Sequence, residues 1–340
     1  MKTLLRLLLK SQHQRNRSEP AQTDKGMTLV ELLVGAIMAF LIITPMLAFV
    51  VDMLNTDRRE QVKSNTEQDL QAAVDFIAQD LSQAIYIYDG KGINQIKAQL
   101  PPNDGTSKTP ILVFWKRQQI KNSLPIDKNI EPKDCSSKPD KCNDTYVLSL
   151  VAYYQFTDKE PTWCQPSGDP CPSRIARYEI SERLRNPYTP DVKNPYYEDG
   201  DLIESQKGSK AFNKDFDFSK PTVNVTTGSN LSSLIPQVLV NYIHHSSTNV
   251  PIPTGAQCKD LLSVTPPPAP ATFDANDLLI TNSLTHSFYA CVDTSKNIAS
   301  VTLRGNSLRR LQADAPYNNK NPAYFPTATV QVQGLGGLGK

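Results

Sequence analysis

A single carboxylate stands at the start of a long apolar stretch near the N-terminus. Glu31 is followed by Leu32–Val51, which contain no charged residue. A helix of about 20 apolar residues is about 30 Å long, which matches the hydrocarbon core of a bilayer. A charge at the bilayer centre costs about 2.5–3.5 kcal/mol, and a carboxylate near the end of the span still needs a partner. The chemistry open to Glu31 is therefore pairing with a positive charge.

The residues before this stretch form a basic and polar leader. A cleaved secretory signal has a shorter apolar region that ends in small residues, whereas Val51 is followed by Asp52-Met53-Leu54-Asn55. Basic segments stay on the cytoplasmic side of the membrane, so we expect residues 52–340 to be exported. The leader carries Lys2, Arg6, Lys10, Arg15, Arg17 and Lys25 against Glu19 and Asp24.

The junction between leader and apolar stretch resembles a known signal. Gly26 followed by Met27-Thr28-Leu29-Val30-Glu31 is similar to the type III signal of type IV pilins and type II secretion pseudopilins. The resemblance implies that a prepilin peptidase cleaves after Gly26 and that the new N-terminus at Met27 is methylated. It also implies that Glu31 acts in assembly. The family prefers Phe at the position of Met27, and its leaders are often shorter.

The charges at this junction are consistent with that role for Glu31. Cleavage creates an α-amine at Met27, with an ordinary pKa of about 8, and methylation keeps its positive charge. Among packed helices an amine and a carboxylate must pair, because each is costly to bury alone. Pairing the amine of an incoming subunit with Glu31 of its neighbour would fix the axial register. The alternative is that Glu31 is only the polar edge of an ordinary membrane anchor.

A looser similarity covers residues 25–180. The segments 72–84, 151–154 and 176–178 resemble the large minor pseudopilins of the J type. Together with Leu54–Arg59 and the long loops, they resemble most the cyanobacterial pseudopilins of the hormogonium polysaccharide secretion system. The resemblance implies a minor subunit of a type IV pilus-like or secretion pseudopilus fibre, which serves polysaccharide secretion and gliding motility. The implied partners are a prepilin peptidase, other pilins or pseudopilins, an inner-membrane assembly platform and an exported polysaccharide.

The expected fold is α+β and pilin-like, with a long N-terminal helix packed on an antiparallel β-sheet head with long loops. We expect a single pass through the inner membrane, with a cytoplasmic N-terminus and a periplasmic head, and a periplasmic or cell-surface fibre after processing. The predicted regions are a cleaved leader (1–26), a transmembrane half of the helix (27–53), an amphipathic half (54–88), a β-rich head (89–333) and a flexible glycine-rich tail (334–340).

The second half of the helix is predicted from apolar residues at spacings of three and four, from Leu70 to Ile85. Pro45 should kink the first half, and Asp89-Gly90-Lys91-Gly92 should end the helix. The intervening polar residues predict a solvent face made of Glu67, Asp69, Gln71, Asp75, Gln79 and Asp80.

The head is predicted from short runs rich in Val, Ile and Tyr. The loops at 186–235 and 250–273 are long and polar or proline-rich, so they are interpreted as partner-binding surface or as mobile insertions. The predicted strands are Ile111–Trp115, Tyr146–Phe156, Arg174–Ile180, Gln237–Ile243, Ser287–Val292, Ile298–Arg304 and Thr327–Val332.

All six cysteines follow the apolar stretch, on the side expected to be exported. An even number of cysteines outside the cytoplasm indicates disulfides, and the spacing does not fit a zinc site. The pairing that joins nearest neighbours is Cys135–Cys142, Cys164–Cys171 and Cys258–Cys291, although six cysteines allow many other connectivities. Free buried thiols are the alternative.

Other candidate chemistry is sparse, and we expect no enzyme, no cofactor and no metal. Neither G-x-S-x-G nor H-E-x-x-H occurs in the sequence. His244-His245 is interpreted as a half-exposed pair at a strand end. The tail Gly334–Lys340 matches part of a phosphate-binding loop, but it lacks the Ser or Thr after the lysine and the following helix. The loop acids that could bind calcium do not have EF-hand spacing; they are Asp191, Glu198, Asp199 and Asp201.

The net charge is +2 over 340 residues, so we expect no nucleic-acid surface. The arginines at 304, 309 and 310 are interpreted as solvated surface. The competing function is a membrane-anchored extracytoplasmic polysaccharide-binding protein or enzyme. Exposed aromatic side chains could serve that function, and the candidates are Tyr196, Tyr197 and Tyr317.

Overall fold

The computed structural model describes residues 28–102, 107–246, 248–266 and 273–335. It combines a long N-terminal helix with antiparallel sheets, which is the predicted α+β layout. The chain forms two compact units, one ending at Asp57 and one beginning at Arg58. The predicted leader, the Gly26–Met27 junction and the last residues of the tail lie outside the described residues.

Helix α1, Leu29–Ser82, provides most of the described part of the first unit and opens the second. Every residue from 28 to 57 is exposed. Pro45 lies within the helix, and the Thr44 hydroxyl donates to the Phe40 carbonyl 2.8 Å away.

The second unit begins with the amphipathic half of α1, whose buried face follows the predicted spacing. Leu70, Val74, Ile77 and Leu81 are almost fully buried. One prediction for this face is wrong, because Asp80 is also buried. Asp80 lies three residues after Ile77 and therefore on the same face.

The predicted end of the helix at residue 88 is also wrong. Helix α1 ends at Ser82, and strand β1, Ala84–Ile87, follows it. Residues 84–87 continue the apolar spacing of the helix, but they pair as a strand with residues 114–116. The Asp89 carboxylate then accepts a hydrogen bond from the Gly92 amide, 2.7 Å away. This cap starts a short helix α2, Gly90–Ile96. The motif Asp89-Gly90-Lys91-Gly92, which the sequence predicts to end α1, therefore begins the next helix.

Two antiparallel sheets make up the rest of the head, and each has its strands in chain order. All the predicted strands are present within these sheets, while β1 and β6 were missed because both are very short. The first sheet contains β1, β2 (Lys108–Pro125), β3 (Cys142–Phe156), β4 (Ser173–Ser181) and β5 (Gln237–Ile243). The second contains β6 (Leu279–Thr281), β7 (Phe288–Asp293), β8 (Ile298–Arg304) and β9 (Thr327–Gln333). A short helix α3, Gly255–Leu261, lies between them in the chain.

One hydrophobic core joins α1 to both sheets. It includes Ile77 of α1, Trp115 and Tyr153 of the first sheet and Phe288 of the second, all fully buried. The sheets also meet through the backbone, because the amide of His244 donates to the carbonyl of Arg304 at 3.0 Å.

Strands β2 and β3 extend beyond their neighbours. Strand β1 pairs with β2 no further than Lys116, and β4 pairs with β3 from Ser149 onward. The remaining ends, 117–125 and 142–148, form a two-stranded ribbon. A disulfide between Cys135 and Cys142 lies at its end.

Part of the long segment 186–235 packs into the head, which does not fit a mobile insertion; its use as a partner-binding surface stays a prediction. Phe216 stacks on Trp115 with 4.3 Å between ring centroids. Val225 is fully buried in the main core. In the segment 250–273, Cys258 and Leu262 are buried in a smaller cluster with Cys291.

Candidate assembly site

Glu31 closes the first turn of α1 with Thr28. The Glu31 Oε2 atom accepts from the Thr28 amide at 3.1 Å and from the Thr28 hydroxyl at 3.2 Å. In return, the Glu31 amide donates to the Thr28 hydroxyl oxygen at 3.3 Å. This reciprocal arrangement is a capping box, which satisfies amides that have no partner within the helix. A negative charge here also interacts favourably with the helix dipole.

The first half of α1 presents a continuous apolar surface. Within the described residues, α1 is the helix that is long and apolar enough to cross a membrane, and it lies near the N-terminus. This is compatible with single-pass anchoring. Large exposed side chains such as Phe40, Ile42 and Phe49 occur along it. Exposed apolar surfaces of this size are typical of membrane or protein interaction sites.

A buried ionic cluster holds the second half of α1 on the first sheet. The Asp80 carboxylate accepts from Arg177 Nε at 2.6 Å and from Lys116 Nζ at 2.9 Å. The Tyr153 hydroxyl donates to the same carboxylate at 2.7 Å. Glu179 completes the cluster, 2.8 Å from Arg177 Nη1 and 3.2 Å from Lys116 Nζ. Two acids and two bases from α1, β2 and β4 are thereby neutralised in the interior.

The cluster keeps both carboxylates ionised. Burial alone would raise the pKa of Asp80, but the hydrogen bond and charge of Arg177, together with Lys116, lower it below its ordinary value. For Glu179, burial is likewise outweighed by Arg177 and Lys116, and the pKa is lowered. Burial, followed by the charge of Asp80, raises the pKa of Tyr153, which therefore stays a proton donor.

A second contact fixes α1 closer to its middle. Arg310 Nε donates to the Thr66 hydroxyl at 3.0 Å, and the Arg310 guanidinium also pairs with Asp69. The guanidinium carbon lies 4.3 Å from the centroid of the Tyr242 ring. Gly305 allows this close approach, since a Cβ there would lie 2.7 Å from Thr66 Cγ2. Asp69 and Arg310 are thus packing contacts of α1, and the solvated-surface prediction for Arg310 is wrong.

The other two arginines predicted at the surface are buried. Arg309 is fully buried, and its Nη1 donates to the Pro166 carbonyl at 2.8 Å while its Nε donates to the Pro170 carbonyl at 3.2 Å. Arg304 is also buried, and it lies over the Tyr317 ring. The two shorter hydrogen bonds of Arg309 go to backbone carbonyls about 140 residues earlier in the chain, and no local pattern indicates such contacts.

One member of the histidine pair is more buried than predicted, because His244 is buried whereas His245 is half-buried. His244 is fully buried beside the Phe325 ring, with 5.3 Å between centroids. Its Nδ1 lies 3.2 Å from the side-chain nitrogen Nδ2 of Asn306. Burial, and then the charges of His245 and Arg304, lower the pKa of His244 to about 3. The His244 imidazole is therefore neutral at physiological pH. It does lie at a strand end, directly after β5, but it is buried rather than half-exposed.

The cysteines form three disulfides, in the pairs that nearest-neighbour spacing favours. Cys135 bonds to Cys142, Cys164 to Cys171, and Cys258 to Cys291. The first closes the loop at the end of the ribbon, the second lies beside Arg309, and the third joins α3 to β7.

The remaining candidates do not come together as a site. Across the described residues, no group of three or more His, Cys, Asp or Glu side chains could hold a metal ion. Of the loop acids considered for calcium, Asp199 pairs with Arg183 at 2.7 Å. Tyr197 is buried, and Tyr196 and Tyr317 are half-buried, so the prediction of exposed aromatic side chains is wrong.

Comparisons with family models, with curated proteins and with solved structures find no match to this chain.

Proposed function

We propose that this chain is a minor pilin or pseudopilin, a structural subunit of a type IV pilus-like or secretion pseudopilus fibre. The observation that carries the proposal is the position of Glu31, fifth after Gly26, at the first turn of a helix whose next part is apolar and exposed. Such a helix is covered by lipid before assembly and by sister helices afterwards. The partners are a prepilin peptidase, other pilins or pseudopilins and an inner-membrane platform.

The proposal gives Glu31 two successive roles. In the full-length chain its carboxylate caps α1 through Thr28. After cleavage behind Gly26, the methylated amine of a neighbouring Met27 becomes an additional partner, and this pairing fixes the register between subunits. The resemblance to the polysaccharide secretion pseudopilins extends the proposal to an exported polysaccharide as cargo.

The first experiment co-expresses the full chain with a prepilin peptidase and measures the mass of the N-terminal peptide. We expect cleavage after Gly26 and a methyl group on Met27. Gly26→Val, which changes the residue before the cut, is the matched control and should remain uncleaved. A mature protein that retains residues 1–26 would overturn the proposal.

The second experiment separates capping from charge pairing. Glu31→Gln keeps an oxygen that can accept from Thr28, because glutamine also completes a capping box, but it removes the charge. Thr28→Ala removes the cap and keeps the charge. We expect Glu31→Gln to be cleaved normally and to be lost from the fibre fraction, whereas Thr28→Ala should still assemble. Normal assembly of Glu31→Gln would disprove the pairing role and leave the capping role.

A further inference from the structure

A cavity opens at the surface of the head, between the end of β4 and the long segment that follows it. Its volume is about 350 Å³, at the lower end of the range of about 300–1,000 Å³ that is usual for small-molecule sites. Two aromatic side chains, Tyr196 and Phe212, line it together with charged and hydroxyl-bearing side chains. A few polar groups placed among aromatic side chains are the usual composition of a ligand site.

The aromatic lining of the cavity is held in place from behind. The Tyr196 hydroxyl donates to the buried carboxylate of Glu182 at 3.3 Å. Phe212 packs edge-on against the buried Trp115, with 6.0 Å between ring centroids, and pairs with Thr226 in an antiparallel bridge. A ligand therefore meets side chains that are already ordered, which lowers the entropic cost of binding.

Two charged groups in the lining have hydrogen-bonding capacity to spare. Arg183 donates from Nε to the Lys207 carbonyl at 3.1 Å and pairs through Nη2 with Asp199 at 2.7 Å. Its Nη1 makes no hydrogen bond to any described residue, and 32% of the side chain stays exposed. The Asp215 carboxylate is exposed and has neither a hydrogen bond nor an ion pair with the described part of the chain. The cavity thus offers a free donor and a free acceptor together.

Hydroxyl groups fit this combination best. A hydroxyl both donates and accepts, so neighbouring hydroxyls of one ligand can serve Asp215 and Arg183. An anion would gain Arg183 and Lys214 but would be repelled by Asp215, and a cation would be repelled by the two bases. A wholly apolar ligand would remove these charges from water without giving them partners, which is costly.

We propose that this cavity binds a neutral hexose unit of a carbohydrate. A pyranose ring carries hydroxyl groups around its edge and C–H groups on its faces. Its edge can pair with Asp215 and Arg183, while an apolar face covers the aromatic side chain of Tyr196 or Phe212. Tyr196 is one of the aromatic residues that the sequence suggests for carbohydrate binding. The site goes beyond the proposed fibre role, because it requires neither leader cleavage nor assembly.

Saturation-transfer NMR on the full, uncleaved chain tests the class of ligand. The detergent has to be non-glycosidic, because a maltoside headgroup would itself compete for the cavity. The probes are the methyl glycosides of glucose, galactose and mannose, with glucuronic acid as the anionic counterpart. We expect transfer to the ring C–H protons of at least one neutral glycoside. Glucuronic acid should bind more weakly, because Asp215 repels its carboxylate.

Variants of the lining locate the binding. Asp215→Ala removes the free acceptor at an exposed position and should weaken binding by a factor of about ten or more, as expected for a hydrogen bond to a charged group. Tyr196→Leu should also weaken binding, whereas Tyr196→Phe keeps the ring and should retain most of it. Asp217→Ala is the matched control, since Asp217 is exposed in the same segment but does not line the cavity.

Three results would overturn the proposal. The first is the absence of transfer to every neutral glycoside at millimolar concentration. The second is tighter binding of glucuronic acid, which would mean that Arg183 and Lys214 select an anion. The third is equal binding by Asp215→Ala and the wild type, which would place the sugar outside the cavity. None of these measurements uses the peptidase or the fibre, so a failure here is distinguishable from a failure of the fibre role.

Discussion

Asp80 and Arg177 join the last turns of α1 to the first sheet through an ion pair that is buried on both sides, with 2.6 Å between Oδ2 and Nε. The pair does not act alone, because Lys116 and Glu179 balance the charges around it. The amphipathic half of α1 is thus held by charge as well as by its apolar face.

We expect Asp80→Ala to lower the free energy of unfolding by about 3–5 kcal/mol, because Arg177 and Lys116 then stay buried with too little negative charge. Denaturant unfolding of the full chain in detergent, followed by the fluorescence of its two tryptophans, measures the change. Asp75→Ala is the control, since Asp75 is exposed on the same helix and should shift stability by less than about 0.5 kcal/mol. Equal unfolding midpoints for the two variants would show that the cluster contributes little.

We expect acid to destabilise the head through His244. Its pKa is about 3 in the folded chain and about 6.5 when unfolded. The unfolded state therefore binds the proton first. The contribution of neutral His244 to the free energy of unfolding is fully present above pH about 6.5. Below that pH the free energy of unfolding falls by up to about 1.4 kcal/mol per pH unit. Asp80 and Glu179 affect stability at lower pH than His244, because their pKa values are lowered by folding and their stabilisation is lost only below their unfolded pKa of about 4.

Urea unfolding at pH 7.5 and at pH 5 measures this effect. The loss of stability between the two should shrink in His244→Phe, which cannot be protonated and suits the aromatic surroundings of Tyr317 and Phe325. His245 has a lowered pKa for the same reason, burial, so part of the loss should remain. His286→Gln, at a less buried site, should change the loss less. An unchanged pH dependence in His244→Phe would assign the effect to other groups.

We expect Gly305→Ala to weaken the packing of α1. The new Cβ would lie 2.7 Å from Thr66 Cγ2 and 3.0 Å from Leu70 Cδ1, so these side chains or the backbone at Gly305 have to shift. Overpacking of this kind costs about 1–3 kcal/mol. Thermal unfolding should therefore occur at a lower temperature than in the wild type. Gly200→Ala is the control, because a Cβ at Gly200 meets nothing within 4 Å. The same loss in both variants would refute the steric explanation.

The sequence predicts those parts of the fold that depend on local periodicity. The apolar spacing from Leu70 to Leu81 identifies the buried face of α1, and alternation identifies the longer strands. The end of α1 was misplaced because Ala84 fits a helical pattern as well as it fits strand β1. Only its pairing with β2 decides between the two, and that contact is distant in the sequence.

The buried charges were missed for a related reason. Residue type predicts that Asp80 is on the solvent face, although its position relative to Ile77 places it on the buried face. Arg309 has no such signal, because its shorter hydrogen bonds go to the backbone carbonyls of Pro166 and Pro170, which are distant in the sequence. The cysteine pairs, in contrast, follow from proximity along the chain. For Glu31 the sequence predicts pairing with a positive charge, and the structure adds a hydrogen bond from the Thr28 amide.

The ribbon formed by the ends of β2 and β3 has a further consequence. Two strands without a third beside them tend to fray from their free end. Here the Cys135–Cys142 bond lies at that end, and Leu124 packs against the small cluster of Leu184, Tyr197 and Leu202 at its side. Amide hydrogen exchange along the ribbon should consequently depend on the state of this disulfide. We expect slow exchange while the bond is intact, and faster exchange that begins at the tip of the ribbon once the bond is reduced.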